Sequence, residues 1–326
     1  MKSLSHYKLF TIIILFIFSC QNEPITCDVL IYNGIVYDGT GEPPYLGSVG
    51  ITDDKITYVG KNTRFEADTI IDATSLSISP GFINMLSWGY SSLMEDGRSL
   101  SDLKQGVTLE VFGEGVSPGP YVKEGERFSL KYAMEALENS GVSTNIASFL
   151  GATTARVIEV GFENRPATEQ EMERMKQMVQ ESMEQGAMGI GSSLIYAPAD
   201  YAPTQELVEL CRVASKNGGM YISHMRNEDN LLMEALEELI TIAKEAEIPA
   251  EIYHLKASRE ANWNMLDTLI KRVEQVRAEG LEITADIYTY NASSTGLTGV
   301  IPTWVQEGGH RAWINRMKDP SVRPRL

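Results

Sequence analysis

The feature that most constrains the fold is a regular alternation of short apolar runs and amphipathic segments, which begins after Pro80. Seven of the runs have the length and composition of strands: GFINMLS, VTLEVFGE, TNIASFLGA, AMGIGSSLIY, MYISHMR, AEIYHLK and LEITADIYTY. The segments between the later runs have helical periodicity. TEQEMERMKQMVQESMEQG, for example, places three methionines and a valine on one face and ends at a glycine. This alternation predicts parallel strands joined by helical crossovers.

The number of strands narrows the fold class within α/β proteins. A closed TIM-type (β/α)8 barrel needs eight parallel strands. The seven runs are followed by AWINRMKDPSVRPRL, which resembles the middle of a helix. We therefore predict a TIM-type (β/α)8 barrel over residues 80–326, with its last strand missing because the sequence is truncated at its C-terminus. An open doubly wound sheet that is complete at seven strands is the alternative.

A different pattern precedes the barrel. From residue 27 to residue 78 the chain is β-rich, and Asn33-Gly34, Asp38-Gly39 and Asp53-Asp54 interrupt it. Such turn signals between alternating apolar residues are typical of hairpins. We therefore predict a small all-β domain over residues 20–79.

The N-terminus has the composition of an export signal. Lys2 and Lys8 precede the apolar run TIIILFIFS, which is too short to cross a bilayer as a helix and fits the core of a signal peptide. Ser19 directly before Cys20 resembles a bacterial lipoprotein cleavage site. We expect residues 1–19 to be removed and Cys20 to be lipidated, which would place the protein in the periplasm or on the cell surface of a bacterium, attached to the membrane by its lipid anchor alone. A plain secretory signal or membrane anchor is the alternative.

The charge balance excludes one class of partner. The chain has 28 Lys and Arg residues against 44 Asp and Glu residues, a formal net charge of −16. Nucleic-acid binding requires a basic face, so we expect no nucleic-acid partner and a small-molecule ligand instead.

Two histidines occupy equivalent positions in successive strand–helix units. His224 ends the run MYISHMR and His254 lies near the end of AEIYHLK. Active-site groups of β/α barrels lie at the carboxyl ends of strands, and neutral imidazole is the commonest metal ligand in proteins. Catalytic zinc needs three protein ligands and an open position. The pair therefore predicts a metal site, whereas His310, on the last loop, is expected to be solvated.

Six motifs in a fixed order resemble one enzyme family. The segments are SPGFI, QGVTLEVFGEGVSPGP, GAMGIGSSLIYAPADYA, GGMYISHMRNE, IPAEIYHLKA and ITADIYTYNASSTGL. Together they resemble the N-acyl-D-amino-acid deacylase (D-aminoacylase) branch of the amidohydrolase superfamily, from about Asp28 to the last residue. The resemblance implies a metal-dependent hydrolase barrel with a small β-sandwich domain, a zinc ion, and hydrolysis of the amide bond of an N-acyl-D-amino acid.

The resemblance also implies a ligand set. The family holds its tightly bound zinc with a cysteine after the second strand and two histidines, which His224 and His254 match. Glu114, in FGEGVS, stands where the cysteine would be, and a carboxylate is an acceptable third ligand that makes the site harder. Glu114 as a solvated loop acid is the competing interpretation, and Glu110 is the fallback ligand.

A second family site is lost. Leu86 and Trp88 replace the His-x-His pair that would hold a second, weaker metal. We therefore expect one zinc ion, which suffices in principle to polarise an amide carbonyl. Trp88 either shapes an apolar pocket for an acyl chain or simply packs.

The family's carboxylate-binding residues match Lys256, Tyr288 and Ser294, and Arg226 is a weaker candidate for the same pocket. Lysine and hydroxyl donors suit a substrate carboxylate. The general base of the family is an aspartate at the end of the eighth strand, which we expect beyond Leu326.

These features predict a zinc-dependent hydrolase that cleaves the non-peptide C–N amide bond of an N-acyl-D-amino acid or a similar small amide. We expect the full gene product to be active and the 326-residue chain alone to be inactive. A catalytically inactive amidohydrolase-like lipoprotein that binds a small ligand is the alternative. Loss of the first-strand histidines favours that alternative, and retention of the other site residues favours the enzyme.

Overall fold

The computed structural model describes residues 24–61 and 64–326. They form two compact units, and the boundary between the units falls between Pro80 and Gly81. The predicted signal peptide and Cys20 lie outside the described residues. Within those residues, the structure contains no helix that is long and apolar enough to cross a membrane.

The first unit is all-β, as its sequence predicts. Its five strands are β1 Ile25–Val36, β2 Tyr45–Thr52, β3 Lys55–Gly60, β4 Phe65–Asp72 and β5 Ser77–Ile78. They form one sheet in which β2 pairs antiparallel with β1 and β3, while β4 and β5 pair parallel with β1.

Two of the predicted hairpins are confirmed. Asp53 and Asp54 join β2 to β3, and Asp53 has a φ of +53°, a conformation that aspartate tolerates in tight turns. Asp38-Gly39 lies in the loop between the antiparallel strands β1 and β2.

The hairpin predicted at Asn33-Gly34 is wrong, because both residues lie inside β1. The register between β1 and β2 shifts between Ile31 and Gly34, and Asn33 has a φ of +61°. A turn signal inside a continuous strand produces a bulge instead of a reversal. A Cβ atom on Gly34 would lie 2.4 Å from Ile78 Cδ1, so this glycine allows β5 to approach β1.

The second unit contains the strands of the predicted alternation and one antiparallel pair of strands that was not predicted. They are β6 Phe82–Asn84, β7 Val107–Phe112, β8 Tyr121–Lys123, β9 Glu126–Phe128, β10 Asn145–Ser148, β11 Leu150–Gly151, β12 Gly189–Ser193, β13 Met220–His224, β14 Ala250–Ile252 and β15 Ile283–Ala285. The strands β6, β7 and β10 form one parallel sheet, and β11 to β15 form another. All seven predicted runs contain a strand, and the third run is divided between β10 and β11 at the buried Phe149. The α/β class is confirmed.

The helices of the second unit follow the predicted crossovers. They are α1 Tyr90–Glu95, α2 Leu100–Leu103, α3 Leu130–Ser140, α4 Ala152–Glu159, α5 Glu169–Glu184, α6 Thr204–Lys216, α7 Leu232–Ala246, α8 Leu266–Ala278, α9 Thr303–Gln306 and α10 Gly309–Lys318. Short 3-10 turns lie at Ala199–Tyr201, Glu260–Met265, Leu297–Val300 and Arg323–Arg325. Helix α5 begins with a capping box made by Thr168 and Glu171, and its buried Met175, Met178 and Val179 face the core.

The central parallel strands are buried on both faces, as β13 shows. Tyr221 belongs to the large cluster formed with the helices, whereas its neighbour Ile222 packs with Val111, Phe149 and Tyr253 in a second cluster. Successive side chains of a strand point to opposite faces, and parallel sheets are typically covered on both sides. The rigid strands therefore hold their carboxyl ends in fixed positions, where the site described next is found.

Candidate metal centre and binding cavity

Three side chains from three different strand ends converge at one point. Glu114 follows β7 by two residues, His224 is the last residue of β13, and His254 follows β14 by two residues. One ligand atom from each lies within 4.8 Å of the others. The structure thus brings together the three residues that the sequence predicts as ligands.

The distances suit a shared ion. His224 Nδ1 lies 3.0 Å from Glu114 Oε1 and 3.1 Å from His254 Nε2, and His254 Nε2 lies 3.9 Å from Glu114 Oε1. Zinc ligands at about 2.0–2.2 Å from the metal are about 3–4 Å from one another. The other nitrogen of His224, Nε2, is buried without a hydrogen-bond partner. Two imidazoles and one carboxylate are a donor set that zinc accepts.

The electrostatics of the cluster favour a positive charge. Burial opposes ionisation of Glu114, but hydrogen bonds with His224, His254 and Trp88 outweigh it and lower the pKa of Glu114 to about 2. Burial alone would lower the pKa of His254, but hydrogen bonds to Glu114 and Glu228 raise it to about 9. A site that draws a proton onto a buried imidazole stabilises cationic charge, and a metal ion satisfies the same demand.

Glu228 is a site residue that the sequence analysis missed. It is buried, its Oε1 lies 3.0 Å from His254 Nδ1, and it accepts a hydrogen bond of 2.7 Å from Lys256 Nζ. Carboxylates that contact the second nitrogen of a ligating histidine orient its ring. The signal was present in SHMRNE, where Glu228 follows His224 by four residues.

Asp286 is a second residue that was missed. It comes directly after β15, and the backbone N–H of His254 donates to its Oδ1 at 2.6 Å. This bond supports the unusual φ of +36° at His254, a conformation that a non-glycine residue adopts only under constraint. Burial raises the pKa of Asp286. An aspartate at the carboxyl end of a predicted barrel strand, in ITAD, was the available signal.

The cluster opens into a cavity of about 950 Å³. Lys256, Tyr288 and Ser294, the residues predicted to bind a substrate carboxylate, line this cavity together with the cluster. Lys256 Nζ lies 5.8 Å from the centre of the Tyr288 ring. Aromatic and apolar side chains form other parts of the wall; they include Leu86, Trp88, Tyr196 and Tyr290. The cavity therefore combines the Lys256 ammonium group and the charged cluster with apolar surface.

Comparisons with known proteins agree with the geometry. No family model matches the chain. Over 294 residues it is 31% identical to the D-aminoacylase of Alcaligenes xylosoxydans xylosoxydans, an alignment that covers 85% of this chain and 60% of the relative. The chain is a homologue of the D-aminoacylases. The resemblance that the six motifs predict is confirmed.

The names of further relatives of this D-aminoacylase homologue indicate the same class of reaction. The N-acyl-D-glutamate deacylase of the same organism is 28% identical, with 82% of this chain and 58% of the relative covered. The crystal structure of N-acyl-D-glutamate deacylase from Bordetella bronchiseptica, complexed with zinc and a phosphonate mimic of the tetrahedral intermediate, matches with a TM-score of 0.73 and 27% identity, covering 81% of this chain and 59% of that one. This chain spans about 60% of the length of the curated relatives that it matches.

Arg226 does not line the cavity that the described residues form. The guanidinium group of Arg226 donates two hydrogen bonds of 2.8 Å to Glu238 on α7. It also donates to the backbone carbonyls of Asp200 and Ala202. Because these acceptors engage both ends of the guanidinium, Arg226 joins α7 to the segment before α6.

Glu110, the fallback ligand, does not join the cluster either. It is 2% exposed, and its carboxylate accepts hydrogen bonds from Ser87, Ser99 and Thr144. Its oxygens are therefore occupied by hydroxyl groups, and Glu114 is the carboxylate of this strand end that faces the histidines.

Proposed function

We propose that this D-aminoacylase homologue is part of a zinc-dependent amidohydrolase that cleaves the amide bond of an N-acyl-D-amino acid or a similar small amide. The observation that carries the proposal is the cluster of Glu114, His224 and His254 at the carboxyl ends of β7, β13 and β14. The names of the relatives, D-aminoacylase and N-acyl-D-glutamate deacylase, support the reaction class.

The strands of the seven predicted runs pair in parallel in chain order, with helices between the later ones, and this order supports a TIM-type barrel for the whole protein. In such a barrel the cavity lies at the face where active sites are found.

Zinc is the proposed ion, and Glu114, His224 and His254 are its proposed ligands. When bound, zinc polarises a carbonyl group and lowers the pKa of its water. One solved D-aminoacylase structure is described in terms of one-metal activation and second-metal attenuation within a binuclear centre. That description supports a single activating ion in the present site, where Leu86 and Trp88 provide no ligands in the first strand.

The chain's own residues would bind and orient the substrate. Lys256 supplies a positive charge for the carboxylate of the amino acid, and Tyr288 and Ser294 supply hydroxyl donors along the same wall. Glu228 accepts a hydrogen bond from the Lys256 ammonium group, so it holds this positive charge near His254 before the substrate binds. The apolar wall suits the acyl group and excludes water from it.

The general base and the cellular location complete the proposal. We assign the base to an aspartate expected beyond Leu326, and we place the protein outside the cytoplasm through a lipid on Cys20. Incorporation of labelled palmitate that disappears in a Cys20→Ser variant tests the anchor, and labelling that persists in the variant contradicts it.

An activity assay tests the proposed reaction. The protein, expressed from Cys20 to the natural stop codon and loaded with zinc, is expected to hydrolyse N-acetyl-D-amino acids faster than the L-isomers. Lys256→Ala is expected to lower kcat/KM by about 10- to 100-fold because a charged hydrogen-bond donor to the carboxylate is lost.

Lys244→Ala is the matched control, because Lys244 lies on α7 and forms an exposed ion pair with Glu279. A folded, zinc-loaded protein that hydrolyses no N-acyl amino acid would contradict the proposal. It would instead favour the ligand-binding lipoprotein, for which the loss of the first-strand histidines is the specific support.

A further inference from the structure

The two oxygens of Glu114 have different partners. Oε1 faces the histidines, at 3.0 Å from His224 Nδ1, and Ser193 Oγ lies 3.4 Å from the same oxygen. Oε2 accepts a hydrogen bond of 2.8 Å from the indole N–H of Trp88. A hydrogen bond to a carboxylate is stronger than a bond between neutral groups, so the indole distinguishes one oxygen from the other.

Trp88 does not behave as a core residue. Its side chain is 62% exposed and lines the cavity. A large aromatic side chain left this open to solvent contributes little to packing. Its specific contact with Glu114 therefore needs an explanation other than core packing.

The backbone beside Trp88 is held in place. The N–H of Ser87 donates to the carbonyl of Val111 on β7 at 2.8 Å, and the Ser87 hydroxyl donates to Glu110 at 2.7 Å. Both acceptors belong to the strand that leads to Glu114. The backbone next to Trp88 is thus fixed by buried contacts to the strand that leads to Glu114.

We propose that Trp88 is a positioning residue of the metal centre, whose indole N–H holds Glu114 so that Oε1 alone is presented to the cation. The proposal rests on the proposed function, because the cation is the zinc ion of that site. Without the indole, the carboxylate can rotate or present both oxygens. With it, a second cation at Oε2 has to displace the N–H.

Two substitutions distinguish the contribution of the indole N–H from the contribution of the aromatic ring. Trp88→Phe keeps an aromatic ring and removes the donor. Trp88→Gln restores an N–H at the same number of bonds from Cα as the indole nitrogen. Trp263→Phe is the matched control, because Trp263 is 64% exposed and lies in the 3-10 turn Glu260–Met265. All variants are prepared in the protein expressed from Cys20 to the natural stop codon.

Metal affinity and a spectrum provide the readouts. Competition with a chromophoric chelator measures the Kd for Zn²⁺, and the visible absorption of the Co²⁺-loaded protein reports ligand geometry. We expect Trp88→Phe to weaken zinc binding by about 10- to 100-fold, as loss of outer contacts to ligands does, and to change the cobalt spectrum. Trp88→Gln is expected to stay within a few-fold of the unaltered protein, and Trp263→Phe to match it.

The contrary results are distinct. If Trp88→Phe binds zinc as tightly as the unaltered protein with the same cobalt spectrum, Trp88 has no positioning role and the proposed function stands. If Trp88→Gln is as weak as Trp88→Phe, the N–H is not the cause and the proposal is overturned. If the unaltered, folded protein binds no zinc, both this proposal and the proposed function fail.

Discussion

Glu114 would set the chemical character of the proposed metal site, because it is the one member of the cluster that offers a carboxylate and not an imidazole. Carboxylate oxygen is a harder donor than thiolate and suits manganese and magnesium as well as zinc. Its position two residues after β7 places the carboxylate 3.0 Å from His224. We therefore expect the site to discriminate less strongly between divalent ions than a site with a cysteine would.

Replacing Glu114 with cysteine tests this expectation. Glu114→Cys is predicted to raise the preference for Cd²⁺ over Mn²⁺ by at least about tenfold, because thiolate selects soft ions. Competition titrations of the two ions measure the ratio. Val116→Cys adds a thiol to the same cavity at an exposed position without replacing a ligand. An unchanged ratio in Glu114→Cys, or an equal change in Val116→Cys, would contradict the role of Glu114.

At the residue scale, the sequence was sufficient to predict the histidines at the strand ends. It was not sufficient to predict the side chains that contact them. His224 and His254 follow from their places at strand ends. The roles of Trp88, Glu228 and Asp286 depend on the directions of side chains in loops, which no periodicity encodes. Trp88 was expected to shape a pocket or to pack, and its hydrogen bond to Glu114 emerges only from the structure.

At the element scale, the carboxyl ends of parallel strands account for the assembly of the site. All seven predicted runs contain a strand, although burial on both faces is complete only in central strands such as β12. The strands themselves are shorter than the runs; β14, for example, covers only Ala250–Ile252. The hairpin predicted at Asn33-Gly34 failed because the local turn signal was overridden by the pairing of β1 with β2 on both sides of Asn33.

The capping box of α5 gives an element-scale prediction. Thr168→Ala is expected to lower the free energy of unfolding by about 1 kcal/mol, since the N-cap hydroxyl then no longer accepts from the backbone of Glu171. Urea unfolding followed by circular dichroism measures the change. A loss below the error of the measurement would show that packing alone determines where the helix begins.

The same capping box predicts a pH dependence. Hydrogen bonds from Arg165 and from the backbone of Thr168 lower the pKa of Glu171 from its ordinary 4.5 to about 2. The folded-state pKa is depressed, so this stabilisation is present above pH 4.5 and is lost as the pH falls towards 2. The free energy of unfolding of Glu171→Gln, measured by urea unfolding, should therefore be lower than that of the unaltered protein near neutral pH. The two values should converge in acid. Glu169→Gln, in the same turn but outside the capping box, is the matched control.

At the scale of the whole molecule, the sequence indicated both the boundary near Pro80 and the confinement of the site to the second unit. It indicated a pocket but not its volume of about 950 Å³, because the size of a cavity depends on loops that come together after distant strands. The formal net charge of −16 led us to expect no nucleic-acid partner, but it did not reveal that Glu114 and Glu228 concentrate negative charge around two histidines.

The most direct test of the central claim is the metal content of the purified protein, expressed from Cys20 to its natural stop codon and measured by mass spectrometry. About one zinc ion per chain is expected because two imidazoles and one carboxylate form one ligand set. That zinc should be lost in His254→Ala and retained in His310→Ala, whose histidine contacts Trp313 on α10 instead. A folded protein that contains no metal after exposure to zinc, or equal zinc in both variants, would contradict the account.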